Sequence, residues 1–134
     1  IESMAARLRV PNEHRDLAVL VARHHARVHR VAEQRPGTVL ELLELTDAFR
    51  RPERFQKFLL ACEADARGRG ARLRTAPYPQ ADWLRGVLAA AGSVRLDAEL
   101  LAREQGPAIA GHLRTARVTA IRSLGPVSPR SVDA

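Results

Sequence analysis

The chain has 134 residues, 46% of them hydrophobic but only 4% aromatic, so its core must come mainly from Leu, Val and Ala, which suits helix-on-helix packing better than a β-sandwich. The formal charge is +7 and the pI about 11.2, and Lys57 is the only lysine, so arginine carries the excess and points to a polyanionic partner; an Ala-, Arg- and Leu-heavy chain also arises from general compositional bias, and charge alone leaves both readings open. The single cysteine, Cys62, excludes an internal disulfide framework and suits a reducing, cytoplasmic compartment, while no apolar run reaches membrane-span length and no signal-peptide pattern opens the chain.

Residues 1–8, IESMAARL, predict the end of a helix, as in a piece trimmed from a longer chain. Val10-Pro11-Asn12 breaks it, and Asn12 can cap the next helix, expected to run to about Ala32. Leu17, Leu20, Val21, His24, Val28 and Val31 fall on one stripe of it at helical spacing. After the loop Arg35-Pro36-Gly37, Thr38 can cap a short helix to about Phe49, with Thr38–Glu41 at the spacing of a capping box. Pro52 suits the first position of a fourth helix, whose buried face is predicted as Phe55, Phe58, Leu59, Cys62 and Ala66 and whose end lies near Gly68 and Gly70. Residues 71–79 read as a loop carrying Arg72, Arg74 and Tyr78. Residues 80–91 predict a helix with Trp83, Val87 and Ala90 inside and Gly92 as its stop. Asp97 can cap a short helix to about Gln105. Gly106-Pro107 starts the last helix, with Ile109, Leu113, Ala116, Ala120 and Leu124 as its stripe. From Gly125 the composition reads as a disordered tail. The expected fold is all-α, six to seven helices in an irregular bundle. The expected organisation is a first region over 1–33, a second over 34–124 and a tail over 125–134.

Four histidines, His14, His24, His25 and His29, share the second helix, and His25 and His29 at i, i+4 present both rings on one face, a spacing used for metal binding. No Glu follows the first of them, as a metalloprotease-type motif requires. His24 lies within the apolar stripe, where a hydrogen-bonded core histidine is the plainer reading. Glu63 with Arg67 and Asp65 with Arg69 make two i, i+4 acid–base pairs, and Asp47 and Glu53 flank Arg50-Arg51. An acid tied to arginine has a lowered pKa and makes a poor general base, so these pairs favour structure or phosphate presentation over catalysis. No Gly-rich phosphate loop follows a strand, and Cys62 faces a predicted core rather than a substrate. On residue chemistry the chain reads as a binding module.

Three stretches carry a family likeness: RLRVPNEHRDL at 7–17, DAFRRPER at 47–54, and EADARGRG at 63–70 followed by Tyr78-Pro79-Gln80. In order and spacing they resemble the C-terminal part of bacterial CCA-adding enzymes of the multifunctional type, which also carry an HD phosphohydrolase domain; the resemblance spans roughly residues 5–122. It implies a parent tRNA nucleotidyltransferase that adds C, C and A to tRNA 3′ ends from CTP and ATP with Mg2+. Its head domain would carry a Gly-Ser motif with an Asp-x-Asp metal pair, a combination absent from residues 1–134. Residues 1–33 would close the HD domain, and the 134 residues alone would not transfer nucleotides. Some relatives place an Asp on the second helix to help close the HD metal site, where Ala26 stands here; His25 or His29 could substitute and hold a transition metal. The implied partners are tRNA and the head and HD domains of the same chain. The expected phosphate contacts are Arg50, Arg51, Arg54, Lys57, Arg67, Arg69, Arg72 and Arg74, with Arg114, Arg117 and Arg122 on the last helix. Two other readings remain: an HD-type metal-dependent phosphohydrolase acting on 2′,3′-cyclic nucleotides, and a helical interaction module, such as a homodimer.

Overall fold

A computed structural model describes residues 1–8 and 11–128, and it is all-α. The α-helices are α1 (Glu2–Arg7), α2 (Asn12–His29), α3 (Pro36–Leu45), α4 (Pro52–Arg67), α5 (Ala71–Arg74), α6 (Pro79–Gly92), α7 (Ala98–Arg103) and α8 (Gly106–Ser123), with a 3-10 turn at Val31–Glu33. No strand occurs among the described residues, and no described helix is long and apolar enough to cross a membrane.

Proline, more than side-chain capping, sets where the helices begin. Pro36, Pro52 and Pro79 are the first residues of α3, α4 and α6, where a missing N–H costs nothing and φ is already helical. Two expected caps are corrected by this. Asn12 is already the first helical residue of α2, behind Pro11, and no side chain caps that end. Thr38 sits two residues inside α3, because Pro36 starts the helix earlier, and the expected capping box with Glu41 is not formed. Asp97 does cap α7: its carboxylate accepts from the Glu99 N–H at 3.1 Å.

The core is built from Val28 of α2, Val39, Leu40, Leu42 and Leu43 of α3, Phe55, Phe58, Leu59 and Cys62 of α4, Ala81, Leu84, Val87 and Ala91 of α6, and Ile121 of α8. Helix α2 packs along α4, α6 along α8, and α3 against α8, while α6 also touches α2 and α4 and so joins the two helix pairs. Phe55 and Phe58 supply the two large aromatic side chains of the core, with ring centroids 5.8 Å apart. Each is worth about 1.5–3 kcal/mol of burial. The expected face of α4 holds, apart from half-buried Ala66.

Three other expectations shift. Helix α6 turns Ala81, Leu84 and Ala91 inward with Val87, and leaves Trp83 and Ala90 half-buried, because its alanines let α4 and α8 approach from two sides. On α8 the buried line runs through Ile121 with Val118 and Arg117 partly covered, while Leu124 is 43% exposed. The stretch 71–79 is not all loop, since α5 forms within it and packs back on α4. In the expected tail, the Trp83 indole N–H donates to the Gly125 carbonyl at 3.2 Å and Val127 packs on the core; residues 129–134 lie outside the described residues.

Candidate nucleic-acid interface

The third of the motifs that carry the family likeness, EADARGRG with Tyr78-Pro79-Gln80, meets the end of α2 at one polar knot. His29, in the last turn of α2, donates from Nε2 to Asp65 Oδ2 on α4 at 2.8 Å. A carboxylate only accepts, so the neutral ring's Nδ1 is left to accept from the Tyr78 hydroxyl at 2.6 Å. The Gln80 amide donates to the His29 carbonyl at 3.1 Å, and Arg69 donates to the same Asp65 oxygen at 3.1 Å. Four residues from EADARGRG and Tyr-Pro-Gln thus tie the end of α2 to the end of α4 and the start of α6. The hydrogen bond from His29, aided by Arg69, holds the Asp65 carboxyl below the usual carboxylate range. Burial pushes the Tyr78 phenol up, and with the nearby Asp65 charge pushes the Cys62 thiol up to about 12.

His25 and His29 do share a face, with ring centroids 5.7 Å apart. Among the described residues they do not complete a metal site: both nitrogens of His29 are engaged, His25 donates from Nδ1 to the Val21 carbonyl at 2.7 Å and keeps Nε2 as its one ligating nitrogen, and no three His, Cys, Asp or Glu side chains come together to hold a metal ion. His24 is not the hydrogen-bonded core histidine of the plainer reading: its Nδ1 is buried with no partner among the described residues. Burial, with Arg27 and Arg23 nearby, lowers its pKa.

The basic residues divide by what they touch. Arg67 pairs with Glu63 at 2.7 Å and Arg69 with Asp65, the two i, i+4 pairs the spacing predicts. Arg50 pairs with Asp47 at 2.6 Å across a turn in which Asp47 takes φ +55°, and Arg54 donates to the Thr46 carbonyl at 2.9 Å. Lys57 reaches Glu13 on α2 at 3.2 Å, which joins RLRVPNEHRDL to α4. Arg114 bridges to Glu44 of α3 at 3.0 Å, and Arg117 lies over the Phe49 ring, 4.0 Å from its centroid. Arg51, Arg72, Arg74 and Arg122 are exposed, and among the described residues no carboxylate pairs with them.

These cations do not form one continuous row. Helix α4 has 16 residues, so Arg50 and Arg51 stand about 24 Å from Arg67 and Arg69 at its other end. The denser group is Arg67, Arg69, Arg72 and Arg74 around the α4–α5 junction. There Gly70, at φ +149°, reverses the chain in a conformation that side-chain-bearing residues avoid. Arg69, Gly70, Ala71 and Arg72 line an open depression of about 450 Å³. The partners that sequence spacing missed are Tyr78 for His29, Phe49 for Arg117 and Glu44 for Arg114. Each lies more than 40 residues away in the chain, beyond the reach of any local pattern.

Fold and site together define an all-helical, arginine-rich module in which Asp47, Glu63 and Asp65 are paired with arginine or histidine. Along most of its length its sequence is similar to proteins named Multifunctional CCA protein. The chain is 52% identical over 120 residues to the one from Nitrosococcus oceani, covering 90% of this chain and 29% of that protein. It is 51% identical over 126 residues to that of Thioalkalivibrio sulfidiphilus (92% and 30%) and 47% identical over 133 residues to that of Polaromonas naphthalenivorans (96% and 31%). The chain is thus similar over nine-tenths or more of its length to these Multifunctional CCA proteins, and it spans about three-tenths of their length. No protein-family model matches it, and no solved structure matches it.

Proposed function

We propose that the chain is the C-terminal part of a tRNA nucleotidyltransferase that builds CCA at tRNA 3′ ends, and that it holds the tRNA backbone while transfer takes place elsewhere in the protein. The observation that carries this reading is the depression at the α4–α5 junction lined by Arg69 and Arg72, at the end of the motif EADARGRG that the family likeness rests on. Guanidinium forks in a shallow concavity suit phosphates of an A-form stem, which is read through shape and backbone. Such contacts position a substrate without selecting sequence, as an enzyme that accepts every tRNA requires. Arg72 and Arg74, without a carboxylate partner among the described residues, make the stronger contacts there; Arg67 and Arg69 must share their charge with Glu63 and Asp65. Mg2+, CTP and ATP belong, in this reading, to the part of the protein outside these residues.

The test is a titration of the 134-residue chain with tRNA over a range of salt. Affinity should fall steeply with salt, and Arg72→Ala with Arg74→Ala should lower the slope of log K against log salt by about one per arginine. Binding flat in salt, or no tighter than to an acidic control polymer, overturns the reading. The metal-dependent hydrolase reading gains no support, since its ligands do not come together among the described residues.

A further inference from the structure

A groove of about 690 Å³ lies between α2 and α4. Its apolar lining is Leu17, Ala18, Val21 and Ala22 of α2 and Ala61 of α4, with Ile1 at one edge. Glu13 and Lys57 stand on its rim as an ion pair, and His25 and Asp65 lie further along. Ala18 and Ala22 are exposed, while Leu17 and Val21 are only half-covered by the core beneath them. Helix α2 thus buries Val28 near its C-terminus, while the apolar side from Leu17 to Ala22 is only partly covered. Contiguous uncovered apolar surface of this kind marks a contact surface.

We infer that this groove seats an apolar-faced helix supplied by the part of the longer protein that lies outside these 134 residues. Its length fits: from Glu13 to His25 α2 advances about 18 Å, some three helical turns. Its floor fits as well, because three alanines let a neighbouring helix axis approach to about 8–10 Å and receive Leu- or Phe-sized side chains at i, i+3 or i+4 and i+7. Nucleic acid fits poorly, since the rim mixes acids with bases and no Phe, Tyr or Trp lines the groove to stack a base. The occupant's source follows from the relatives: the matched stretch makes up only 29–31% of them, so most of each protein lies beyond it. The inference rests on the similarity to these longer relatives and not on tRNA binding.

Thiol accessibility tests it. Ala18→Cys and Ala22→Cys are made in the 134-residue chain and in a long protein in which this chain replaces the matched stretch of the Nitrosococcus oceani relative. Site-resolved alkylation is then followed by mass spectrometry, with Ala102→Cys on exposed α7 as the reference. Buried Cys62 contributes little background. The expected result is fast labelling at both groove sites in the short chain and labelling slowed about ten-fold or more in the long one, with Ala102→Cys unchanged. Equal rates in the two proteins overturn the inference. So does protection that appears in the short chain alone and grows with its concentration, because a second copy then fills the groove. Should the graft not fold, cysteines at the matching positions of the Nitrosococcus oceani protein, intact and cut to its matched stretch, give the same comparison. No tRNA enters the assay, so its failure is separate from failure of the function proposed above.

Discussion

At the scale of single residues, the balance at the α2–α4–α6 junction turns on who donates to whom. Asp65 must accept, so His29 donates to it, and with the ring neutral Tyr78 donates to His29 Nδ1. Tyr78→Phe leaves the half-buried Nδ1 of His29 without its donor and should cost about 1 kcal/mol, seen as a lower urea midpoint at unchanged slope. His24 and Asp65 give the chain two separate acid limits. The folded state refuses a proton at half-buried His24 until below its ordinary value of 6.5, whereas the unfolded chain takes it up there. Stability therefore falls as pH drops through 6.5 and below. Asp65 acts lower: its folded pKa lies below its ordinary 3.8, so its contribution is intact above that value and disappears as pH falls through the folded pKa. His24→Leu should remove the upper limit, raise Tm at pH 5.5 and flatten its pH dependence between 5 and 7, while Asp65→Asn should leave that window as it is. A His24→Leu protein with the original slope between pH 5 and 7 would show that another group sets it.

At the scale of elements, proline marks helix starts, but only Pro52 reads so directly from the sequence; Pro36 and Pro79 read as loop residues and yet open α3 and α6. Where the reading slips, tertiary packing decides. Thr38 has a cap's side chain, but Pro36 lies upstream and claims the first turn. On α8, Arg117 occupies the buried line because Phe49 offers its ring face, which no spacing rule reveals for a charged residue. Helix α7 is the opposite case. It has six residues, none buried, and one side-chain cap, Asp97. With so little packing, the cap decides whether the helix persists. Asp97→Ala should cost it about 0.5–2 kcal/mol locally. Hydrogen exchange should quicken across Ala98–Glu104 while global Tm stays put, because α7 adds nothing to the core. A fall in Tm matching the local loss would instead make α7 part of the cooperative unit.

At the scale of the whole molecule, the candidate interface is half visible in the sequence. The i, i+4 pairs Glu63–Arg67 and Asp65–Arg69 follow from spacing, but the fold alone shows that their helix end is clamped by His29 and Tyr78 and therefore cannot shift without α2 and α6. The same clamp should make α2, α4 and α6 one cooperative unit, and buried Cys62 on α4 serves as its internal reporter. Buried, with its thiol pushed up to about 12, Cys62 presents almost no thiolate at pH 8 while the chain is folded, so its alkylation requires opening of the core. When reclosing outpaces reaction, the labelling rate follows the population of the open state. Phe58→Ala removes a fully buried ring and should cost about 3–5 kcal/mol, a loss that multiplies the open population at least about 100-fold. Tyr78→Phe, at about 1 kcal/mol, should speed labelling only about five-fold. Asp97→Ala should leave the rate unchanged, since it frees only α7. Rates measured on these three variants and the parent chain give that order if a single core opens as a whole. A Cys62 that reacts equally fast in all four would instead place the thiol behind a local opening of α4, and the clamp would not unite the three helices.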